Sequence, residues 1–526
     1  MRRKRNEVNL ARSLSSSLLG VWLAGCAVGP NYHAPNTELP REFAGSAATA
    51  ATAGPAPPAV DSSRWWQALQ DPELDSLIDR AIRANFDIEI ALTRLQQVRT
   101  KQAILVGDAL PQVAASGAAG RGTGSDISRL GAAPALRAGD NKGSLNQIRQ
   151  VAGFTTSWEL DLFGGYRRAI EAGRYDIEAA AATRNAALLS VIADVARYYV
   201  DMRGLQIRLA IIRDNIATAT QSRDFVQARF DRGLTNEMDL QLAKRELAIL
   251  QAQLPVLQSA VESAQYSLAT LLGRYPEDLA EELNQPGTLP TLPEAVEPGL
   301  PLELLRRRPD IQEAERELAA ATARIGVATA NLFPHVALNG ALGTQSADIG
   351  AKGNMHIWAF GPAVYWPLLD FGALDAQVSI ANLEAHERLI AYRKTVVSAV
   401  QESDTAISNF SAQEQRLQNL ADAMAASERA VSLAQQRYDR GMTDFLNVVD
   451  AERQQYNIED EYTDARQSAT DAYIYLYKAL GGGWEPYQQI PAIRHSEPAV
   501  IAGFHRLLAG DDPQEAPSPQ PATAGD

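Results

Sequence analysis

The sequence predicts a mixed α/β membrane protein that combines long antiparallel α-helical hairpins with four β-strands, arranged as two internal repeats. The first observation is that the 68 residues from Ala373 to Arg440 contain neither glycine nor proline, so nothing forces a helix to stop there. At about 1.5 Å per residue this helix would be roughly 100 Å long. The second observation is a heptad pattern that occurs twice, and the third is a pair of strand-like segments in each half.

A stripe of apolar residues at every seventh position predicts that the long helix packs along its length against other helices. A strict seven-residue spacing makes helices supercoil left-handedly around each other. The same stripe recurs 208 residues earlier, which predicts a second long helix. One stripe is Val396, Ser403, Phe410, Leu417, Met424, Val431 and Tyr438, and the other is Leu188, Val195, Met202, Leu209, Ile216, Arg223 and Phe230. Because a coiled coil of any purpose has such a stripe, the flanking segments must decide its role.

The composition argues against several classes of function. A net charge of −14, without a clustered lysine and arginine surface, argues against a nucleic-acid partner. The single cysteine, Cys26, excludes an intramolecular disulfide and a thiolate metal site, and the six histidines have no ligand spacing. Neither a Ser/His/Asp set nor a phosphate-binding glycine loop is present, so we expect no enzyme activity and no cofactor.

The N-terminus has the features of a secretory signal. Basic residues 1–5 precede an apolar run, Leu14 to Ala24, that is too short to span a membrane. The run ends in Leu23-Ala24-Gly25-Cys26, which resembles the lipobox of bacterial lipoproteins. That resemblance implies cleavage before Cys26, lipidation of Cys26 and, because alanine rather than aspartate follows, residence in the outer membrane. The Ala- and Pro-rich residues that follow predict a tether.

The first half combines a helix, a β-hairpin and a helical hairpin. A helix is expected from Asp71-Pro72 to about Val106, because an N-cap and an amphipathic pattern begin there. Two extended runs, from Leu110 to Gly117 and from Val151 to Leu160, predict a β-hairpin with a long polar tip. A helix from about Tyr166 to Arg232 should end at Gly233. The return helix, residues 236–272, should be capped by Thr235 and kinked at Pro255.

The second half repeats this order. Residues 308–336 align with the first half at an offset of 223, and the residues after the hairpin align at an offset of 208, so that Trp366 matches Trp158 and Gly441 matches Gly233. The fifteen-residue difference falls in the hairpin loop, where insertions cost little. The predicted parts are a signal peptide at 1–25, a tether at 26–62, one repeat at 63–285, a second at 286–490 and a disordered tail at 491–526.

Four strands in one chain leave two open sheet edges. In a bilayer each unpaired backbone group costs several kcal/mol, and the smallest closed barrels have about eight strands. Copies of the chain must therefore associate. Three copies would supply twelve strands and a matching ring of long helices.

Motifs spread along both halves resemble one family. They are the lipobox, Trp158-Glu159-Leu160-Asp161-Leu162-Phe163-Gly164, the repeated Arg-aromatic-Asp-Arg-Gly turn at 229–233 and 437–441, and Ala479-Leu480-Gly481-Gly482-Gly483-Trp484. The chain resembles the TolC-like outer-membrane efflux factors, in their lipoprotein (OprM/NodT) branch. The resemblance implies a homotrimer with a twelve-stranded transmembrane β-barrel and a periplasmic α-barrel. It also implies an exit duct for drugs or other toxic small molecules, docked through a periplasmic adaptor to an inner-membrane RND-type transporter.

The second helical turn contains the candidate gate. Leu446, Asn447 and Asp450 lie at helical spacing on one face. The resemblance implies an apolar plug at Leu446 and an acidic ring at Asp450, and Asn447 stands where TolC has a second aspartate. It also implies that Tyr438 and Asp239 hold the turns together by hydrogen bonds, although Tyr438 could serve packing alone and Asp239 could be a solvated helix-terminal charge. Thr443 replaces an arginine of TolC.

Two other interpretations remain open at this point. The chain could be the exit duct of a type I protein secretion system, which shares the fold and differs in its cargo. It could also be a non-channel periplasmic coiled-coil lipoprotein. An adaptor is disfavoured, because adaptors carry one helical hairpin whereas this chain predicts two.

Overall fold

Helical segments at the start of the chain are capped by polar side chains. The computed structural model describes residues 27–37, 40, 42–44, 61–122, 147–285, 287–293, 303, 306–349 and 351–488. After a 3₁₀ helix at Ser62–Leu69, helices α1 (Pro72–Ala84) and α2 (Phe86–Asp108) follow in direct succession. The sequence predicted one helix here. Asn85 divides it, because its Oδ1 accepts hydrogen bonds from the N–H groups of Asp87 and Ile88 and so caps a new helix.

Two helical hairpins of equal dimensions form most of the remaining chain. Helix α3 (Gly165–Asp231) and helix α7 (Ala373–Asp439) each have 67 residues, and α4 (Glu237–Leu271) and α8 (Phe445–Ala479) each have 35. A short helix, α5 (Ala280–Leu283), follows the first helical hairpin, and helix α6 (Pro309–Ala330) lies near the start of the second half. The long helices predicted from the glycine- and proline-free run and from the doubled stripe are confirmed. Helix α4 continues through Pro255.

The four strands form one antiparallel sheet in chain order. They are β1 (Gln112–Gly122), β2 (Gln147–Leu160), β3 (His335–Ile349) and β4 (Ala351–Tyr365). The predicted hairpin is confirmed, but β2 begins four residues before Val151, because the ladder with β1 extends into the segment predicted as a polar tip. Strands β1 and β4 are the outer edges of the sheet.

The two β-hairpins have the same register under the two sequence offsets. Gln112 lies opposite Ser157 in the first hairpin, and His335, 223 residues further on, lies opposite Tyr365, which is 208 residues beyond Ser157. The equivalence extends to side chains. Trp158 Nε1 donates to the carbonyl of Ala109 at 3.1 Å, and Trp366 Nε1 donates to that of Leu332 at 3.2 Å.

The stripe residues of both long helices are turned away from solvent. In α3 and α7 all fourteen positions are buried or half-buried, which matches the expectation of packing along the length. Helix α3 packs against α2, α4, α6 and α8, while α7 packs against α6 and α8. Of the helices described here, only α3 is long and apolar enough to cross a membrane by composition, yet 56% of its apolar window is buried, as in the core helix of a folded domain.

The main core lies where the 3₁₀ helix and α1 meet α3, α7 and α8. Trp65 is fully buried there and stacks on Tyr477, with ring centroids 5.8 Å apart. Tyr473 donates a hydrogen bond to the carbonyl of Trp65. The aromatic cluster fixes the N-terminal helices against the last helix of the chain.

The segment after Cys26 lies against the body of the protein. The N–H of Val28 donates to the carbonyl of Phe163 at 3.1 Å. The buried Arg168 guanidinium donates to the carbonyls of Val28 and Gly29 and to Asn31 Oδ1. A stretch too poor in large apolar residues to fold alone is thus ordered by hydrogen bonds to a neighbouring helix.

Candidate functional site at the helical tips

Each helical hairpin reverses direction at a glycine in the left-handed conformation. Gly233 has a φ of 67° and Gly441 a φ of 66°. In the first turn the N–H of Gly233 donates to the carbonyl of Phe230 and that of Leu234 to the carbonyl of Arg229. In the second turn the N–H of Gly441 donates to the carbonyl of Tyr438, and that of Met442 donates to the carbonyl of Arg437. These are Schellman caps, and they confirm Gly233 as the cap of the first long helix.

The return helix of the first turn is capped differently from the expectation. Asn236, not Thr235, is the N-cap, and its Oδ1 accepts from the N–H of Asp239 at 2.9 Å. The Thr235 hydroxyl donates instead to the Asp239 carboxylate. Asp239 is half-buried, and these two bonds place it within its own turn.

An apolar cluster joins the two tips. We call it the tip cluster. Its members come from both hairpins and are Val226, Leu240, Ala243, Tyr438, Phe445, Val448 and Val449. The Tyr438 ring, 8% exposed, lies 5.4 Å from the ring of Phe445, and the Arg229 guanidinium lies 5.2 Å from the Tyr438 ring centroid. Tyr438 therefore contributes to the contact between the hairpins by packing.

The three predicted gate residues share the opposite, exposed face of helix α8. Leu446, Asn447 and Asp450 are all exposed, whereas Phe445, Val448 and Val449 point into the tip cluster. Leu446 is 51% exposed, comparable with Met442 at 55% and Leu234 at 62% in the two turns. The structure thus brings Leu446, Asn447 and Asp450 together on one surface, whereas Tyr438 lies in the tip cluster.

Polar contacts on this face are local. Asn447 Nδ2 donates to Thr443 Oγ1 at 2.8 Å, so Thr443 stabilises the first turn of α8. Arg453 donates to Asp450 at 2.6 Å, with both side chains about half exposed. Exposed ion pairs of this kind contribute at most about 1 kcal/mol, so Asp450 remains available to other partners.

Two buried carboxylates lie just beyond the tip cluster, and the sequence analysis did not identify them. Glu246 of α4 and Glu452 of α8 are each 9% exposed. Burial, followed by the charge of Glu246, raises the pKa of Glu452 to about 7. Within the described ranges neither carboxylate has a hydrogen-bond or ion-pair partner. A signal was available, because Glu452 follows Phe445, Val448 and Val449 at the spacing of a buried stripe.

Further along the hairpins, polar bridges connect α3 to α8. Arg208 donates to both carboxylate oxygens of Asp460, at 2.6 and 2.9 Å. Seven residues earlier in α3, Asp201 accepts from Gln467 at 2.7 Å. These contacts link the first hairpin to the second, whereas the Arg416–Asp464 ion pair links two helices of the second hairpin only.

The predicted lipidation residue, Cys26, lies outside the described residues. Its neighbour Ala27 is described, and a Cβ placed on Gly164 would lie 2.6 Å from the Ala27 Cα. Ala27 therefore adjoins the junction between strand β2 and helix α3. In the part of the chain that the structure describes, no group of three or more His, Cys, Asp or Glu side chains is arranged to hold a metal ion.

Comparison with known proteins gives one consistent result. A family model described as outer membrane efflux protein matches residues 77–274 and 300–482. Nodulation protein T of Rhizobium leguminosarum bv. trifolii is 29% identical over 479 residues, which cover 90% of this chain and 97% of that protein. The antibiotic efflux pump outer membrane protein ArpC of Pseudomonas putida is 29% identical over 90% of this chain and 96% of its own length. The solved structure of the outer-membrane channel OprN is 35% identical, with a TM-score of 0.78, over 88% of this chain and 100% of that chain.

Proposed function

The chain belongs to the outer membrane efflux protein family, and we propose that three copies of it close into a single duct through the outer membrane. The chain is the outer-membrane exit channel of a tripartite efflux pump, with its helical part in the periplasm. Its relatives are channel and transport proteins rather than enzymes.

One observation supports the closed trimer above all others. The chain contributes a four-stranded sheet whose edge strands, β1 and β4, each have one side without a partner strand in the sheet. Unpaired backbone groups are not tolerated in a bilayer, so the sheet must be closed by further strands. Three copies bring twelve strands, a size at which membrane barrels close. Because each chain contains two similar halves, three copies would form a ring of six similar units.

The tips of the helical hairpins form the gate in this proposal. Leu446, Asn447 and Asp450 of three copies would surround one axis, so that the exposed face of α8 becomes a ring of apolar and acidic side chains. Tyr438 and Asp239 would hold the turns in the closed arrangement. Opening would move the α7–α8 hairpin away from the α3–α4 hairpin, which requires the tip cluster and the Arg208–Asp460 bridge to rearrange.

Anchoring at Cys26 places the lipid at the membrane boundary. The support is that the segment from Val28 to Asn31, which begins two residues after Cys26 in the sequence, is held by hydrogen bonds to Arg168. This segment lies beside the junction between strand β2 and helix α3. A signal peptide at 1–25, a linking segment at 26–62, two repeats at 63–285 and 286–490, and a tail at 491–526 complete the proposed organisation.

The pump partners follow from the family. A periplasmic adaptor would bridge the helical tips to an inner-membrane RND-type transporter, and drugs or other toxic small molecules would pass through the duct by gated passive conduction. Similarity to the antibiotic efflux pump protein ArpC supports small-molecule cargo over secreted protein. No nucleic acid takes part.

Planar-bilayer recording of the purified lipoprotein tests the channel. We expect discrete conductance steps that persist after the adaptor and the transporter have been removed. A preparation that folds and inserts without conducting would overturn the proposal. Drug susceptibility of a deletion strain complemented with the wild-type gene tests the transport role. The same measurement with a Cys26→Ser variant tests the lipid anchor.

A further inference from the structure

A cavity lies between the two helical hairpins, along the helices from the tip cluster towards the main core. Helices α3, α4 and α8 surround a volume of about 430 Å³ there. The apolar part of its wall includes Ile212, Ile249, Leu250 and Leu257. Ligand pockets in proteins have volumes of about 300–1,000 Å³, so this cavity is large enough for a small organic molecule.

Buried polar groups without partners line the same cavity. Glu246 is 9% exposed and Asn215 is 8% exposed. The Tyr456 hydroxyl is buried and has no hydrogen-bond partner. Within the described part of the chain, the Glu246 carboxylate and the Asn215 amide form no hydrogen bond either. A buried polar group that forms no hydrogen bond costs free energy, so three of them around one cavity indicate a bound partner.

The Tyr456 hydroxyl lies beside the two buried carboxylates. Burial, followed by the charges of Glu452 and Glu246, raises the pKa of Tyr456. Glu452 precedes Tyr456 by four residues, so the two side chains are neighbours on one face of α8. The inner wall of the cavity therefore combines negative charge with a neutral hydroxyl, which can accept a hydrogen bond from a cationic donor.

The positive charges around the cavity are largely neutralised or screened. Arg208 forms the bidentate ion pair with Asp460, and Arg453 is paired with a carboxylate of its own helix. Arg245, the remaining arginine of the lining, is exposed to water. A charge in bulk water acts about fourfold more weakly than one near or below the protein surface at the same distance. The buried carboxylates therefore dominate the field inside the cavity.

We propose that this cavity binds an amphipathic organic amine, whose ammonium group pairs with Glu246 and whose apolar body packs against Ile212, Ile249 and Leu257. The ammonium group supplies the hydrogen-bond donors that the buried carboxylate lacks, and the Tyr456 hydroxyl accepts one of them. A bare metal ion would leave the apolar wall in contact with water, so an amine with an apolar body matches the lining better. The site is formed within one copy of the chain and does not depend on the proposed trimer.

The bound amine would connect the two hairpins. Glu246 and Ile249 belong to α4 of the first hairpin, whereas Tyr456 belongs to α8 of the second. A ligand that binds the folded contact and not the unfolded chain stabilises that contact by mass action. Occupation of the cavity should therefore raise the thermal unfolding midpoint of the protein.

A fluorescence titration with dansylcadaverine tests the site. This compound joins an environment-sensitive aromatic ring to a primary ammonium group, and dansylamide has the same ring without the ammonium group. Both are titrated into the purified full-length protein in detergent, with protein-free micelles as the blank. We expect saturable binding of dansylcadaverine that is about tenfold or more tighter than that of dansylamide, because only the amine pairs with a buried charge.

Four variants locate the binding. Glu246→Gln keeps the shape of the side chain and should weaken dansylcadaverine binding about tenfold or more. Tyr456→Phe removes one hydrogen bond and should weaken it about threefold to tenfold. Ile249→Trp fills the cavity from a position that is 46% exposed and should abolish binding. Glu262→Gln removes an exposed carboxylate from the same helix and is the control that should bind like the wild type.

The outcomes separate this site from the proposed function. Selective binding of the amine that is lost in Glu246→Gln and Ile249→Trp and kept in Glu262→Gln supports the site. Equal binding of the two dansyl compounds, or no saturable binding, means that water alone fills the cavity and overturns the inference. If Glu246→Gln does not fold, retention of amine binding in Ile249→Trp overturns it instead. Bilayer conductance without amine binding would leave the channel in place, whereas amine binding without conductance would remove the channel and leave the site.

Discussion

Glu452 lies buried beside Glu246, and the two carboxylates belong to different helical hairpins. Each side chain is only 9% exposed, and the pair sits between the tip cluster and the apolar cluster formed by α3 and α4 around Leu247 and Leu250. Two like charges held in a poorly solvated contact disfavour full ionisation. The stability of the contact between the hairpins therefore depends on pH. This contact is one that must rearrange when the proposed gate opens.

Replacement of Glu452 by glutamine should remove a pH dependence of stability. The pKa of Glu452 is raised from 4.5 to about 7, so the folded protein retains a proton that the unfolded chain loses. Its stabilising contribution is complete below pH 4.5 and is lost as the pH rises through 7, a change on the order of 3 kcal/mol. The thermal unfolding midpoint should fall between pH 5 and pH 8 in the wild type and vary less in Glu452→Gln.

The matched control for that measurement is Glu387→Gln on the exposed surface of α7. It should reproduce the wild-type pH profile. If Glu452→Gln has the same slope as Glu387→Gln, the buried pair does not hold a proton and the account of this contact fails.

Breaking the Arg208–Asp460 bridge should favour the open channel. Asp460→Asn removes a bidentate ion pair between α3 and α8 and should cost below about 1 kcal/mol, because both side chains are partly solvated. Asp464→Asn breaks the Arg416–Asp464 ion pair at 2.9 Å, which lies within the second hairpin. Single-channel recording should show longer open times for Asp460→Asn only. Equal behaviour of the two variants would mean that the bridge between hairpins does not restrain opening.

Asp450→Ala should raise the closed-state conductance and weaken the preference for cations. The carboxylate is about half exposed and its only described ion pair is with Arg453, so three copies would present three accessible negative charges around the entrance. Asp422→Ala removes an exposed carboxylate from α7 away from the tip and serves as the control. An unchanged closed state and unchanged selectivity in Asp450→Ala would remove this residue from the gate.

Two glycines with the same backbone conformation should tolerate alanine differently. Gly441 has a φ of 66° and open space around the position of a Cβ, so Gly441→Ala should cost about 1 kcal/mol of backbone strain. Gly481 has a φ of 77°, and its Cβ would lie 3.0 Å from the Arg308 Cα. Gly481→Ala should therefore cost about 2–4 kcal/mol, which is strain plus overpacking. Denaturant unfolding of both variants checks the difference, and equal costs would contradict the close approach at Arg308.

Local signals were sufficient to predict the helical frame. The ends of α3 and α7 follow from Gly233 and Gly441, because a turn with positive φ selects glycine without regard to distant contacts. The prediction of Thr235 as the N-cap was wrong, because Asn236 caps the helix. Adjacent residues with similar capping ability can be distinguished only when the exact start of the helix is known. The division of the first helix at Asn85 was missed for the same reason.

Contacts between distant segments could not be predicted from these local patterns. The order of the segment from Val28 to Asn31 depends on Arg168, about 140 residues away. Burial of Glu452 depends on the way in which α4 and α8 pack, and a glutamate in a helix is more often solvated than buried. The face shared by Leu446, Asn447 and Asp450 was predictable from helical spacing, whereas its exposure required the tip cluster on the other side.

Native mass spectrometry of the lipidated protein, released from detergent micelles, tests closure of the duct most directly. The account predicts one dominant species with three times the mass of the mature lipoprotein, because three four-stranded sheets leave no open edge. A stable single chain, or a ladder of species without a preferred stoichiometry, would contradict it.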